Sequence, residues 1–211
     1  MATPVYIEAG TKRVFALALE WPGWCRSGRD EAAALAALAA YEQRYAVVAR
    51  EAGIGFPPGN GFAVVERVRG SASTDFGVPG EAASGDARPL KRGEADRMAD
   101  LVEAAWRVFD RVVAGAPAEL RKGPRGGGRD RDAIVEHVLG AEAAYYVRKI
   151  GLRLPQPTAG DPAAVAAFRR EVAGALRGGG QPIEKGWPLR YAARRIAWHV
   201  LDHAWEIEDR S

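Results

Sequence analysis

Apolar positions change their spacing partway along the chain. Before residue 70 they alternate or cluster in short runs; from about residue 92 onward they recur at steps of three and four. The first pattern belongs to strands and the second to amphipathic helices, so the sequence divides into a sheet-forming part and a helical part. Residues 4–20, PVYIEAGTKRVFALALE, predict two strands joined at Ala9-Gly10-Thr11. In the second of these, Val14, Ala16 and Ala18 alternate with Phe15, Leu17 and Leu19, which makes both faces apolar. Trp21-Pro22-Gly23-Trp24 interrupts the run, and Cys25 to Gly28 can continue it as a short strand. Asp30 is placed to cap a helix expected to reach Ala52, with Leu35, Leu38, Tyr45 and Val48 as its apolar stripe. A Gly/Pro loop over 53–61 leads to a last strand over 62–69. The expected unit is a small α+β layer, one helix on one sheet.

In the helical part, the first helix is expected over 92–114, with Met98, Leu101, Val102, Ala105, Phe109, Val112 and Val113 inward. A Gly-rich, charged loop over 115–130 is expected to be flexible. The second helix runs over 132–149, with Ile134, His137, Val138, Ala141 and Tyr145 on one stripe. Asp161-Pro162 starts a third as N-cap and N1. Its inward residues are Val165, Phe168, Val172 and Leu176, and it is expected to end at Gly178-Gly179-Gly180. The last runs over 186–210, with Pro188 near its start and no glycine or proline in its interior. Four amphipathic helices of this length argue an all-α four-helix bundle. The expected organisation is therefore an α+β domain over 1–70, a linker over 71–90 rich in Gly, Ser, Ala and Pro, and a bundle over 91–211.

Composition adds little to this picture. Hydrophobic residues make up 47% of the 211, enough for a sizeable core, and no run is long enough to cross a bilayer. The N-terminus lacks the apolar centre of a signal peptide, so a cytoplasmic location is expected. The single cysteine, Cys25, cannot form an internal disulfide and is expected to pack within its strand. Residues 1–90 carry 9 basic and 10 acidic side chains against 21 and 17 in residues 91–211, a modest excess that does not favour nucleic acid. The Ala, Gly and Arg richness fits a GC-rich bacterial genome.

Candidate chemistry lies in the histidines. The chain has three, and all fall on expected inward stripes. His199 and His203 are one turn apart in the last helix and project from one face. His137 lies on the stripe of the second long helix. Buried imidazoles need polar partners, and one metal ion shared among three satisfies all of them at once. Neutral imidazole suits zinc, nickel, copper and iron, and three protein ligands leave a coordination position open. The plainer alternative is that all three are packed core histidines. The segment His199-Val200-Leu201-Asp202-His203 has valine where a zinc peptidase carries its glutamate, which argues against that activity. Arg195, one turn before His199, and Glu206, three residues after His203, are candidates for an anion anchor or an acceptor behind a ligand. Tyr145, Arg148 and Trp106 are candidate pocket residues by helix face.

Two resemblances follow from these residues. The opening hairpin, Pro22-Gly23-x-Cys25, Gly28 and the Asp30-Glu31-Ala32-Ala33 helix start resemble the HicB-like antitoxin domain; that likeness implies its fold and a tendency to self-associate, with no regulatory activity carried over. The part from about residue 90 resembles the DinB/YfiT-like metalloenzyme superfamily, whose signature is one histidine in the second helix of the bundle and an H-x-x-x-H pair in the last. His137, His199 and His203 match that order. The resemblance implies a divalent metal, zinc or nickel, a homodimer, and chemistry with a low-molecular-weight thiol of the mycothiol, bacillithiol or glutathione type, as an S-transferase or isomerase. Where many members continue with an Arg-Gly-Gln-like run, this chain has Ala204-Trp205-Glu206, a departure in the substrate pocket rather than at the metal. A non-enzymatic, metal-binding regulatory or partner-binding protein that uses the HicB-like half is the competing expectation.

Overall fold

A computed structural model describes residues 1–56, 59–123, 128–178 and 186–211. Part of the expected flexible loop (residues 124–127), two prolines of the 53–61 loop (57 and 58), and Gly179 and Gly180 lie outside the described residues. The N-terminal part is a four-stranded mixed sheet of β1 (Thr3–Ala9), β2 (Val14–Ala18), β3 (Cys25–Gly28) and β4 (Phe62–Arg69), in the order β3-β2-β1-β4. β1 pairs antiparallel with β2 and parallel with β4, and β2 pairs antiparallel with β3. The expected third strand is thus present.

The single helix expected over 30–52 is two: α1 (Glu31–Ala40) and α2 (Glu42–Glu51), separated at Tyr41. Neither glycine nor proline marks the break. Tertiary contacts hold it: the Arg26 guanidinium lies 3.9 Å from the centre of the Tyr41 ring, and that ring meets Trp205 edge-on at 5.0 Å. Asp30 caps α1 as expected, its carboxylate accepting from the Ala33 amide at 2.8 Å. The break lets α1 lie on β2 and β3 while α2 packs on a later helix.

The two apolar faces of the sheet have separate covers. Val5, Ile7, Ala16 and Ala18 join the main core under α1 and α2. On the other face Tyr6, Phe15, Leu17 and Cys25 pack with Ala83 and Trp198. Residues 71–90, expected as a linker, supply much of this second cover. They carry α3 (Ala72–Phe76) and a short 3-10 turn (Ser84–Ala87). Glu8, fully buried in β1, holds them down by accepting from the Thr74 hydroxyl (2.5 Å), the Gly80 amide (2.9 Å) and the Glu81 amide (3.1 Å). Three hydrogen bonds accepted by one buried carboxylate order a stretch whose composition has no periodicity of its own.

The later part is mostly helical: α4 (Arg92–Gly115), α5 (Arg131–Ala141), a π-helical turn (Glu142–Tyr146) leading into α6 (Val147–Lys149), α7 (Pro162–Gly178) and α8 (Leu189–Arg210). Asp161 caps α7 as its position predicts, accepting from the Ala163 and Ala164 amides at 3.0 Å each. α4 packs on α2, α7 and α8, and α5 packs on α8. From Tyr191 to Leu201 every residue of α8 is buried, the mark of a helix enclosed on all sides. It lies between the other helices and the sheet. Gly23, at φ +92°, brings the β2–β3 turn against Ala197 and Leu201 of α8. Arg26 binds Asp202 at 2.9 Å, and Arg194 forms a buried ion pair with Asp86. One hydrophobic cluster runs continuously from Val5 to Ile207.

The π-helical turn changes which side chains face inward. A straight helix would place Tyr145 on the stripe of His137 and Val138. The wider turn lags an α-helix by roughly 70–90° over its length. Tyr145 is therefore carried to the rim, 50% exposed, while Tyr146 and Val147 turn inward. The sequence expectation for Tyr145 fails on this turn.

Candidate metal centre

α8 supplies His199 and His203, and α5 supplies His137. One nitrogen from each lies within 4.8 Å of the other two. The Nε2 atoms of His137 and His199 are 3.3 Å apart, long for a hydrogen bond between imidazoles. It is close to the edge of a tetrahedron with metal–nitrogen distances of about 2.0–2.1 Å, which is about 3.3–3.4 Å. The three rings meet at steep angles, 60–89°, with centres 4.8–5.2 Å apart. Flat stacking, which would direct the nitrogens apart, does not occur. These three histidines can hold a metal ion.

Protonation favours the same use. Burial holds His199 well below the usual imidazole range, with further lowering from the charges of His203 and His137. Burial also lowers His137, with His203 adding to it. Both are neutral near pH 7 and present a lone pair, as ligation demands. His203 Nδ1 lies 2.9 Å from Glu206 Oε2, and Glu206 in turn accepts from Arg210 at 2.6 Å. The His203 hydrogen bond, more than any other influence, holds the Glu206 carboxyl below its ordinary range. A carboxylate on one ring nitrogen fixes the tautomer and leaves Nε2 as the nitrogen free to ligate. His199 Nδ1 is buried and has no partner among the described residues.

Of the remaining candidates, Arg195 reaches the neighbourhood of the triad. It is 4% exposed, and its guanidinium lies 4.7 Å from the ring centre of Trp198, 5.5 Å from Tyr146 and 5.7 Å from Trp187. Tyr146 also contacts the His199 ring, centre to centre at 5.2 Å. Trp106 is elsewhere: its indole N–H donates to Glu142 at 2.7 Å, so it joins α4 to the π-helical turn. Arg148 is exposed and lines a surface groove with residues 151–155. Tyr145 stands at the rim, with Lys149 over its ring at 5.4 Å. Cys25 is buried in β3 as expected, and burial pushes its thiol well up, away from nucleophilic use.

Tyr146, Trp187 and Trp198 were not singled out from the sequence. The crowding of tryptophan around the H-x-x-x-H segment, at 187, 198 and 205, was the available signal. Comparisons with family models, with curated proteins and with solved structures found no match.

Proposed function

We propose that the protein is a divalent-metal-dependent enzyme, with His137, His199 and His203 as the ligands and zinc or nickel as the metal. The observation that carries this reading is the convergence of all three histidines of the chain, from two helices, on one small volume. The donor set fits: neutral imidazoles suit these ions, and three ligands leave a position for substrate. In this reading α4, α5 with its continuation, α7 and α8 form the four-helix bundle that frames the centre. A divalent ion there would supply Lewis acidity, stabilising the thiolate form of a bound low-molecular-weight thiol. The chain itself does the rest. Glu206 orients His203 and is held by Arg210, and the partly buried imidazole of His137 and the buried one of His199 keep their lone pairs available. Tyr146 and Trp198 shield the His199 side of the triad from water. The resemblance noted above makes a thiol S-transferase or isomerase the reaction class, in a cytoplasmic homodimer.

The test is metal content by mass spectrometry of the wild type, His137→Ala and His199→Ala. About one equivalent in the wild type, lost in both variants, supports a shared site. No metal in the wild type after reconstitution refutes it, and the histidines are then core packing. In a cobalt-substituted sample, added thiol should alter the ligand-field spectrum. An unchanged spectrum would point to a closed, structural metal and to the partner-binding role.

A further inference from the structure

Arg195 presents a problem that packing alone does not solve. Its side chain is 96% removed from solvent, and Nε and Nη1 are buried with no hydrogen-bond partner among the described residues. Guanidinium is permanently charged, and no described carboxylate pairs with it. Its neighbour Arg194, equally buried, shows the usual solution: an ion pair with Asp86. Cation–π contact with Trp198, Tyr146 and Trp187, and the nearby Tyr146 and Tyr191 hydroxyls, offset part of the desolvation but leave the Nε and Nη1 hydrogens unused. A buried, uncompensated charge is costly and is tolerated where a ligand completes it.

We infer that Arg195 is the binding site for the carboxylate of a small-molecule substrate whose other end engages the three imidazoles. This rests on the metal-centre reading only for the second half of that statement. The position supports it: Arg195 is one helical turn from His199, an axial step of about 6 Å along α8. Tyr146 touches both, as does Trp198. A single guanidinium among aromatic rings suits a singly charged, planar carboxylate on a short carbon chain better than a phosphate dianion, which calls for several donors. The expected class is a thiol-carboxylate or a carboxylate-bearing electrophile with the two functions about three or four bonds apart.

The probes are 3-mercaptopropionate and its neutral amide, titrated into the purified protein while tryptophan fluorescence is followed. Trp187 and Trp198 flank Arg195 and report its occupancy. The wild type should bind the acid at least tenfold more tightly than the amide. Arg195→Met should remove that preference, and Arg195→Lys should retain part of it. His203→Ala should weaken both ligands yet keep the preference for the acid. Equal affinity for acid and amide in the wild type overturns the proposal, and so does a preference that survives in Arg195→Met. Acid preference in a protein that binds no metal leaves the Arg195 site standing while refuting the metal centre.

Discussion

Glu142 gives the sharpest test of the packing behind the candidate site. It opens the π-helical turn, is 1% exposed, and has one oxygen bound by the Trp106 indole while the other, Oε2, has no partner among the described residues. Burial pushes its carboxyl up to about 7, against opposing influences from Arg169 and the Trp106 hydrogen bond. A carboxyl whose folded pKa exceeds its unfolded value binds more protons in the native state than in the unfolded one. Its contribution to stability is therefore complete below pH 4.5 and is lost as pH rises through about 7. Between about pH 5.5 and about pH 8.5 the loss amounts to about 2 kcal/mol. Glu142→Gln imitates the protonated acid and cannot ionise. In urea unfolding its advantage over the wild type should be about 2 kcal/mol larger at the higher pH than at the lower. Parallel pH profiles for the two proteins would refute the reasoning, because every other titrating group is common to both.

The other predictions concern the join between sheet and helices. Asp86→Asn leaves Arg194 charged, buried and unpaired, and should cost about 3–5 kcal/mol, read as a fall in urea midpoint; a loss under about 1 kcal/mol would mean the pair is solvated. Gly23→Ala places a Cβ 2.6 Å from Leu201 Cδ1 at a residue with φ +92°, and should cost at least about 1–2 kcal/mol in the same assay. An unchanged midpoint would show that the turn does not press on α8.

Much of the candidate site was legible because α8 is regular. Four-residue spacing places His199 and His203 on one face wherever the helix sits, and His137 falls on a stripe that begins before any irregularity. Tyr145 was misassigned because a steady 3.6-residue period was carried through Glu142-Ala143-Ala144-Tyr145-Tyr146, a segment without glycine or proline to signal a wider turn. The 71–90 stretch looked unstructured for a related reason. Its order comes from Glu8, more than sixty residues earlier, and a strand glutamate gives no sign of which backbone amides it will bind. The division of α1 from α2 likewise depends on Arg26 and Trp205, partners distant in the chain. Arg195 was identified from its distance to His199, but its isolation from any counter-ion is visible only in three dimensions.

The π-helical turn sets a phase rather than a contact. His137 precedes it and Tyr146 lies within it, so the nitrogens and the aromatic wall beside them are indexed by how many backbone residues the turn contains. Exchanging side chains at 145 or 146 alters the wall and leaves that index alone. Removing one residue, such as Ala144, would set every later position back by about 100°, which nearly cancels the loss of the turn's own lag, so Val147 would stay inward and Tyr145 at the rim, with His137 unmoved. The turn therefore absorbs one residue of chain length between the histidine face and the aromatic wall while both stay in register.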